Sequence, residues 1–160
     1  DLLSDPSPLA SSSAAVTLHS LAQTPEVRKR MVMEVHWGKL VEAARPSPSE
    51  RVIACESKLA ETGRAEAAGC LHLCMDPERN AGHQWVRQKV IDKDGLSAFV
   101  ALLKTGQVES RENAAWCIAH LAHEESQRDV LLDMQVAKWL VHLLKSKEET
   151  SLKLRAGAAA

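Results

Sequence analysis

The sequence contains few aromatic residues: four Trp, one Phe and no Tyr, or 3% of 160 residues. Sheet proteins use aromatic and β-branched side chains to cover their pleated faces, so this scarcity disfavours a β-sheet fold. Apolar runs are also short, and none approaches the roughly 20 residues that a membrane-spanning helix needs. We therefore predict an all-α protein without a membrane span.

Neither sign of charge is in excess, because Lys and Arg number 20, Asp and Glu number 21, and the net charge is -1. This balance gives no reason to predict a nucleic-acid partner. We interpret the short basic run Arg28-Lys29-Arg30 as a solvated helix face. The sequence has no Gly-rich phosphate loop, paired carboxylate cluster or nucleophile elbow. We therefore expect neither an enzyme nor a cofactor.

The four cysteines lie at positions 55, 70, 74 and 117. The first residues lack the basic stretch and apolar run of a signal peptide. We interpret the cysteines as reduced, buried thiols of an intracellular protein, cytoplasmic or nuclear or both. A zinc site at Cys70, His72 and Cys74 is disfavoured, because a helical wheel places His72 opposite the two cysteines. No metal site is predicted.

Two kinds of helical segment alternate along the chain. Segments of the first kind begin with paired alanines, at Ala14, Ala67 and Ala114, so their starts are 53 and 47 residues apart. Segments of the second kind are richer in apolar residues and begin at Leu40, Phe99 and Leu140, at intervals of 59 and 41 residues. This alternation predicts a stacked helical array, and its period is longer than the roughly 34 residues of a tetratricopeptide repeat.

Hydrophobic periodicity predicts helices near residues 8–22, 26–33, 35–44, 49–60, 64–75, 80–92, 96–104, 109–122, 126–133, 136–145 and 148–160. One connection between the two kinds of segment is 23 positions long, and the matching connection in the next repeat is 11. The extra residues lie between Pro46 and Gly63. We predict that they form an added helix, or a lengthened third helix with a kink near Gly63.

These segments resemble an armadillo repeat array, most closely over residues 94–145 and less closely over 8–45. Residues 94–103 are similar to the second helix of the family's repeat, and residues 109–122 to its third helix. The resemblance implies a right-handed superhelix of about three partial repeats. The family's glycine before the second helix is absent at the matching positions Val35, Asp94 and Gln135.

On this basis we divide the chain into a partial repeat, a repeat with an insertion, a further repeat and the start of the next, at residues 1–45, 46–104, 105–145 and 146–160. We expect such an array to be a fragment of a longer protein. Its uncapped ends predict self-association, because apolar residues lie where neighbouring repeats would cover them, at Leu2, Leu3, Leu152 and Leu154.

The third helices of armadillo proteins line a groove that binds extended peptides. The resemblance therefore implies a scaffold for protein–protein interaction. A helical wheel places four residues opposite the apolar stripe of the third helix, and we predict that they bind the protein or peptide partner: Glu112, Trp116, His120 and His123. Trp116 has an alternative role, packing against the neighbouring repeat. A metal site or a Cys–His nucleophile at Cys117, His120 and His123 is a less favoured alternative.

Two more specific functions stay open. One is the substrate-recruiting armadillo region of a U-box-type ubiquitin ligase, which flanking sequence would decide. The other is a nuclear-import adaptor, whose family pattern pairs Trp with Asn in successive third helices. Trp116 fits that pattern, but His120 occupies the Asn position, and the matching positions of the other two segments hold Val16 with Ser20 and Gly69 with Leu73.

Overall fold

The computed structural model describes residues 2–4, 7–46 and 54–145, which are helical and contain no β-strand. A short 3₁₀ turn at Leu2–Ser4 precedes nine α-helices within these residues. They are α1 (Pro8–Ala22), α2 (Pro25–Glu34), α3 (Trp37–Ala44), α4 (Ala54–Met75), α5 (His83–Ile91), α6 (Gly95–Thr105), α7 (Val108–Ala122), α8 (Glu125–Asp133) and α9 (Val136–Lys145). The prediction of an all-α fold is confirmed. The predicted helix at 148–160 lies outside the described residues.

The helices form layers. The longest helices, α1, α4 and α7, pack side by side, with α4 between the other two. Helices α3 and α6 cover one side of this layer and contact each other, and α6 also contacts α9. The core between the layers is apolar, with Leu40, Leu71 and Phe99 fully buried. Paired alanines at Ala67 and at Ala114 are buried as well, and their small side chains allow close approach of the backbones.

The described part of the insertion, residues 54–63, lengthens a third helix, which is one of the two alternatives that the sequence predicts. Helix α4 runs from Ala54 to Met75 without interruption, so the prediction of separate helices at 49–60 and 64–75 is wrong. A Cβ atom at Gly63 would lie 3.1 Å from the Cα atom of Ser12 in α1. The glycine therefore permits close packing of α1 on α4, and it does not end a helix.

A buried carboxylate joins α4 to the start of α7. Glu61 Oε1 accepts hydrogen bonds from the Ser110 hydroxyl at 2.5 Å and from the Gln107 backbone N–H at 2.7 Å. Its other oxygen pairs with Arg64 at 2.8 Å. Burial raises the pKa of Glu61, but these hydrogen bonds and the charge of Arg64 outweigh burial and lower the pKa below its usual value. Glu61 therefore caps α7 as a charged acceptor from the neighbouring helix.

The turns before two second helices use a left-handed residue. Asp94 precedes α6 with φ 54°, and Gln135 precedes α9 with φ 56°. These are two of the positions at which the armadillo resemblance leads one to expect glycine. Val35, before α3, instead has an extended backbone with φ -83°. Two of the three turns thus keep the left-handed conformation without the residue that adopts it most easily.

An arginine from each first helix reaches the carboxyl end of the preceding third helix. Arg28 donates to the Gln23 carbonyl after α1 at 3.4 Å, and Arg87 to the Met75 carbonyl of α4 at 3.1 Å. Arg128 donates to the Ala122 carbonyl of α7 at 3.0 Å. These bonds satisfy carbonyls that a helix end leaves unpaired. The positive charges of the arginines also interact favourably with the negative end of the helix dipole. The prediction of a solvated face at 28–30 is therefore wrong for Arg28, which is buried, and right for exposed Lys29 and Arg30.

The two ends of the described stack differ. Leu2 is 63% exposed, while Leu3 packs against the core. At the other end an apolar groove of about 300 Å³ opens between α7, α8 and α9, lined by Ile118, Ala122 and Leu131 among others. Leu152 and Leu154 lie outside the described residues, and self-association stays a prediction.

Candidate functional site

The third helices share a surface of polar and aromatic side chains, which we call the third-helix surface. It includes His19 on α1, Glu66 and His72 on α4, and Asn113 and Trp116 on α7. Side chains from different helices contact one another across it, so it continues over all three.

Three rings cluster where α4 meets α7. His72 stacks on Trp116 with ring centroids 5.4 Å apart, and on His120 with centroids 5.2 Å apart. The His72 Nδ1 and His120 Nε2 atoms are 3.0 Å apart and share a hydrogen bond. We call His72, Trp116 and His120 the ring cluster. Its members fix one another's orientation, so Trp116 presents a preorganised flat surface.

Both histidines of the ring cluster are neutral near pH 7. Burial lowers the pKa of His72 to about 4, opposed in part by the charge of Asp76. Burial likewise lowers the pKa of His120 to about 4, and the charge of His72 lowers it further. One neutral ring donates its N–H to the unprotonated nitrogen of the other. A second proton on the pair would place two positive charges at hydrogen-bonding distance in a partly buried site.

The four residues predicted from the helical wheel do not form one exposed patch. Trp116 is half-buried and lies beside His120 in the ring cluster. His120 and Glu112 are only 7% and 9% exposed, so the expectation that both face away from the buried side is wrong. The neighbouring helix α4 packs beside α7, and a wheel drawn on α7 alone omits it. His123 is exposed at the end of α7.

A second polar group lies on the same surface between α1 and α4. His19 Nδ1 and Glu66 Oε2 are 2.5 Å apart, and Gln23 bonds the other nitrogen of His19 at 3.1 Å. Asn113 of α7 donates to the Ala65 carbonyl of α4 at 2.8 Å. A Cβ atom at Gly69 would lie 2.8 Å from the His19 ring. Any residue larger than glycine would therefore displace the His19 side chain.

Sequence reasoning missed His72, His19, Glu66 and Asn113 as members of this surface. The wheel on α4 did place His72 opposite Cys70 and Cys74, and this orientation was a usable signal. Nothing in the sequence indicated that His72 meets Trp116 and His120, because that contact depends on the relative position of two helices. Trp116 packs against His72 of the neighbouring repeat and stays partly exposed, so its predicted role in partner binding stays a prediction.

The cysteines are structural in this region. Cys70, Cys74 and Cys117 are free, buried thiols, as predicted. Hydrogen bonding with Cys74, together with burial, raises the pKa of Cys70, and burial raises the pKa of Cys117. Cys117 also donates to the Ala68 carbonyl at 3.3 Å. A protonated, buried thiol is a poor nucleophile and a poor metal ligand, which disfavours a Cys117–His120–His123 site. The side chain of Cys55 lies outside the part of the chain whose side chains the structure describes.

Among the residues that the structure describes, no three His, Cys, Asp or Glu side chains are placed to hold a metal ion. None of the described helices is long and apolar enough to cross a membrane.

Comparison with known families agrees with this architecture. Residues 86–123 match the model of the armadillo/beta-catenin-like repeat. The match begins in α5, continues through α6 and ends directly after α7, so it covers a first, a second and a third helix. No curated protein matches the chain. Residues 86–123 are therefore similar to an armadillo repeat, and the described helices around them form an all-α stack that agrees with an armadillo-type solenoid.

Proposed function

We propose that this chain is a binding scaffold that holds an extended segment of a protein partner on the third-helix surface, centred on Trp116. The match to an armadillo repeat indicates a protein-interaction scaffold in general, and binding on the third-helix surface is the more specific proposal. The observation that carries it is the ring cluster, in which two helices hold a partly exposed Trp in a fixed orientation. Large, stiff aromatic side chains dominate the binding energy of protein interfaces.

The surroundings of Trp116 suit a peptide backbone. Asn113 lies one helical turn before Trp116, and the His19–Glu66 pair continues the polar surface toward α1. Amide, imidazole and carboxylate groups together can both donate to and accept from backbone N–H and C=O groups. An extended segment exposes those groups at regular intervals, so it can use polar contacts from successive helices.

We propose a binding function and no catalytic one, because the thiols nearest the ring cluster are protonated and buried. Reduced thiols also fit the intracellular location that we propose, cytoplasmic or nuclear. The functions of a U-box ligase region or a nuclear-import adaptor stay predictions.

The experiment compares Trp116→Ala with Trp139→Ala, a matched change at a 37% exposed Trp of α9. Peptides selected from a displayed random library against the natural chain serve as ligands, and titration calorimetry gives their Kd. We expect Trp116→Ala to weaken binding by about 30-fold, equivalent to about 2 kcal/mol, and Trp139→Ala to leave it unchanged.

Thermal unfolding of both variants separates binding from stability. If Trp116→Ala lowers the melting temperature while the affinity per folded molecule stays the same, Trp116 is a packing residue and the proposal fails. The same conclusion follows if the selected peptides bind both variants equally.

A further inference from the structure

A second surface lies away from the third helices, between the start of α3 and helix α5. It is an open pocket of about 540 Å³, whose lining includes Val35, Lys39, Glu42, Trp85, Lys89 and Lys93. We call it the Trp85 pocket. Its residues come from first and second helices and the turns beside them, so it shares no residue with the ring cluster.

Helical spacing builds one wall of the Trp85 pocket. Trp85 and Lys89 are four residues apart on α5 and therefore lie on one side of the helix, and Lys93 follows in the turn after α5. Trp85 is 42% exposed, which is unusual for so large an apolar side chain. The Lys89 ammonium lies 5.4 Å from the centre of the Trp85 ring. The wall thus combines apolar surface with fixed positive charge.

The opposite wall accommodates a lysine stem. A Cβ at Gly38 would lie 3.2 to 3.3 Å from three carbons of the Lys93 side chain. The aliphatic part of Lys93 therefore rests on α3, which leaves its ammonium at the edge of the pocket. Lys93 and Lys89 form no ion pair within the described residues.

The charge of the Trp85 pocket contrasts with that of the chain. Its lining includes Lys39, Lys89 and Lys93 and a single carboxylate, Glu42, which pairs with Arg45 at 3.6 Å. The whole chain has a net charge of -1. Positive charge is therefore concentrated beside an exposed indole and Val35. An occupant complementary to both features carries carboxylates and at least one apolar side chain.

We infer that the Trp85 pocket binds an acidic protein segment that inserts an apolar side chain beside Trp85 and places carboxylates at Lys89 and Lys93. A single-stranded nucleic acid fits less well. Its bases bind by stacking on aromatic faces, and the Lys89 ammonium already lies over the Trp85 ring.

The probe is a fluorescein-labelled peptide of about 12 residues in which Glu alternates with Leu, and fluorescence anisotropy measures its Kd. We expect the double variant Lys89→Gln/Lys93→Gln to weaken binding by about tenfold, since each partly exposed ion pair contributes little by itself. Trp85→Ala should weaken binding to a similar extent. A rise in salt concentration should weaken binding to the natural chain and have little effect on the double variant.

The chain supplies a control, because the Lys104 ammonium of α6 lies 5.5 Å from the ring centre of Trp139 in α9, a distance close to that between Lys89 and Trp85. Lys104→Gln and Trp139→Ala should leave the Kd unchanged. Equal weakening by the two pairs of variants would show non-specific attraction and overturn the inference. Equal binding of a peptide with Ser in place of Leu would also overturn it, as would tighter binding of a deoxythymidine oligonucleotide at the same lysines.

The inference is independent of the proposed function. Trp116→Ala should not change binding of the acidic peptide, whereas Trp85→Ala should not change binding of those selected library peptides that Trp116→Ala weakens. Loss of both activities in either variant would contradict the separation of the two surfaces. Melting temperatures of the variants show whether each one is folded, and the exposure of Trp85 and Lys93 predicts that they are.

Discussion

Acid should destabilise this chain through the ring cluster. Burial lowers the pKa of His72 and of His120 from 6.5 to about 4 in the folded protein. The unfolded chain exposes both rings to water, so there each pKa returns to about 6.5. Between these two values the unfolded chain binds protons that the folded protein does not bind. Stability is therefore fully present above about pH 6.5 and falls as the pH decreases toward about 4.

The magnitude follows from the same values. A pKa lowered from 6.5 to about 4 makes protonation about 3 kcal/mol more costly in the folded protein. At about pH 5 most of the unfolded histidines are charged, and each costs the folded protein about 2 kcal/mol. The pair together should lower the free energy of unfolding by about 4 kcal/mol between about pH 7 and pH 5. That is a large share of the stability of a typical domain.

Urea denaturation followed by circular dichroism at the two pH values measures this loss. The double variant His72→Gln/His120→Gln cannot titrate in this range, so most of the pH dependence should disappear. His123→Gln changes an exposed histidine directly after α7 and serves as the control, with pH dependence close to that of the natural chain. An equal decrease in stability for the double variant and the natural chain would refute the reasoning.

Two further changes test the elements that position the site. Glu61→Gln removes the charge that accepts from Ser110 and pairs with Arg64, and it should cost about 2 kcal/mol in chemical denaturation; a cost near zero would show that Glu61 does not cap α7. Gln135→Gly should instead stabilise the chain by up to about 1 kcal/mol, because glycine adopts the left-handed conformation of φ 56° without strain. Lys138→Gly, in the exposed helical part of α9, should destabilise by a similar amount, and an equal sign for both changes would contradict the assignment.

Much of the fold could be predicted from the sequence because apolar periodicity reports which face of each helix is buried. The repeated alanine pairs indicated the stacking of third helices, because their small side chains mark the buried face along which these helices approach each other closely. Gly63 was misjudged because glycine is common at helix ends, whereas here its role depends on Ser12, which is distant in the sequence. Such a contact between helices leaves no local pattern.

The candidate site shows the same limit more strongly. The wheel on α7 correctly put Trp116 away from the core, but it described a helix in isolation. Burial of Glu112 and His120 requires a neighbouring helix at a particular distance and rotation. The ring cluster likewise depends on His72 arriving from α4. Sequence reasoning could therefore identify the helix that carries the candidate site and two residues of the ring cluster, Trp116 and His120, but not His72, which completes it.

The arginine bonds show that the sequence repeat and the physical unit of this solenoid differ. A family repeat such as 86–123 ends with its third helix. Yet the carbonyls at the end of that helix are satisfied by Arg128, which belongs to the following repeat. Arg87 makes the equivalent bond to Met75 and also reaches Glu124 at 3.5 Å. A segment of this array in which the last carbonyls of every third helix are hydrogen-bonded therefore ends after a first helix. Excision or exchange of modules at the boundaries of the sequence repeat would separate each third helix from the side chain that completes it.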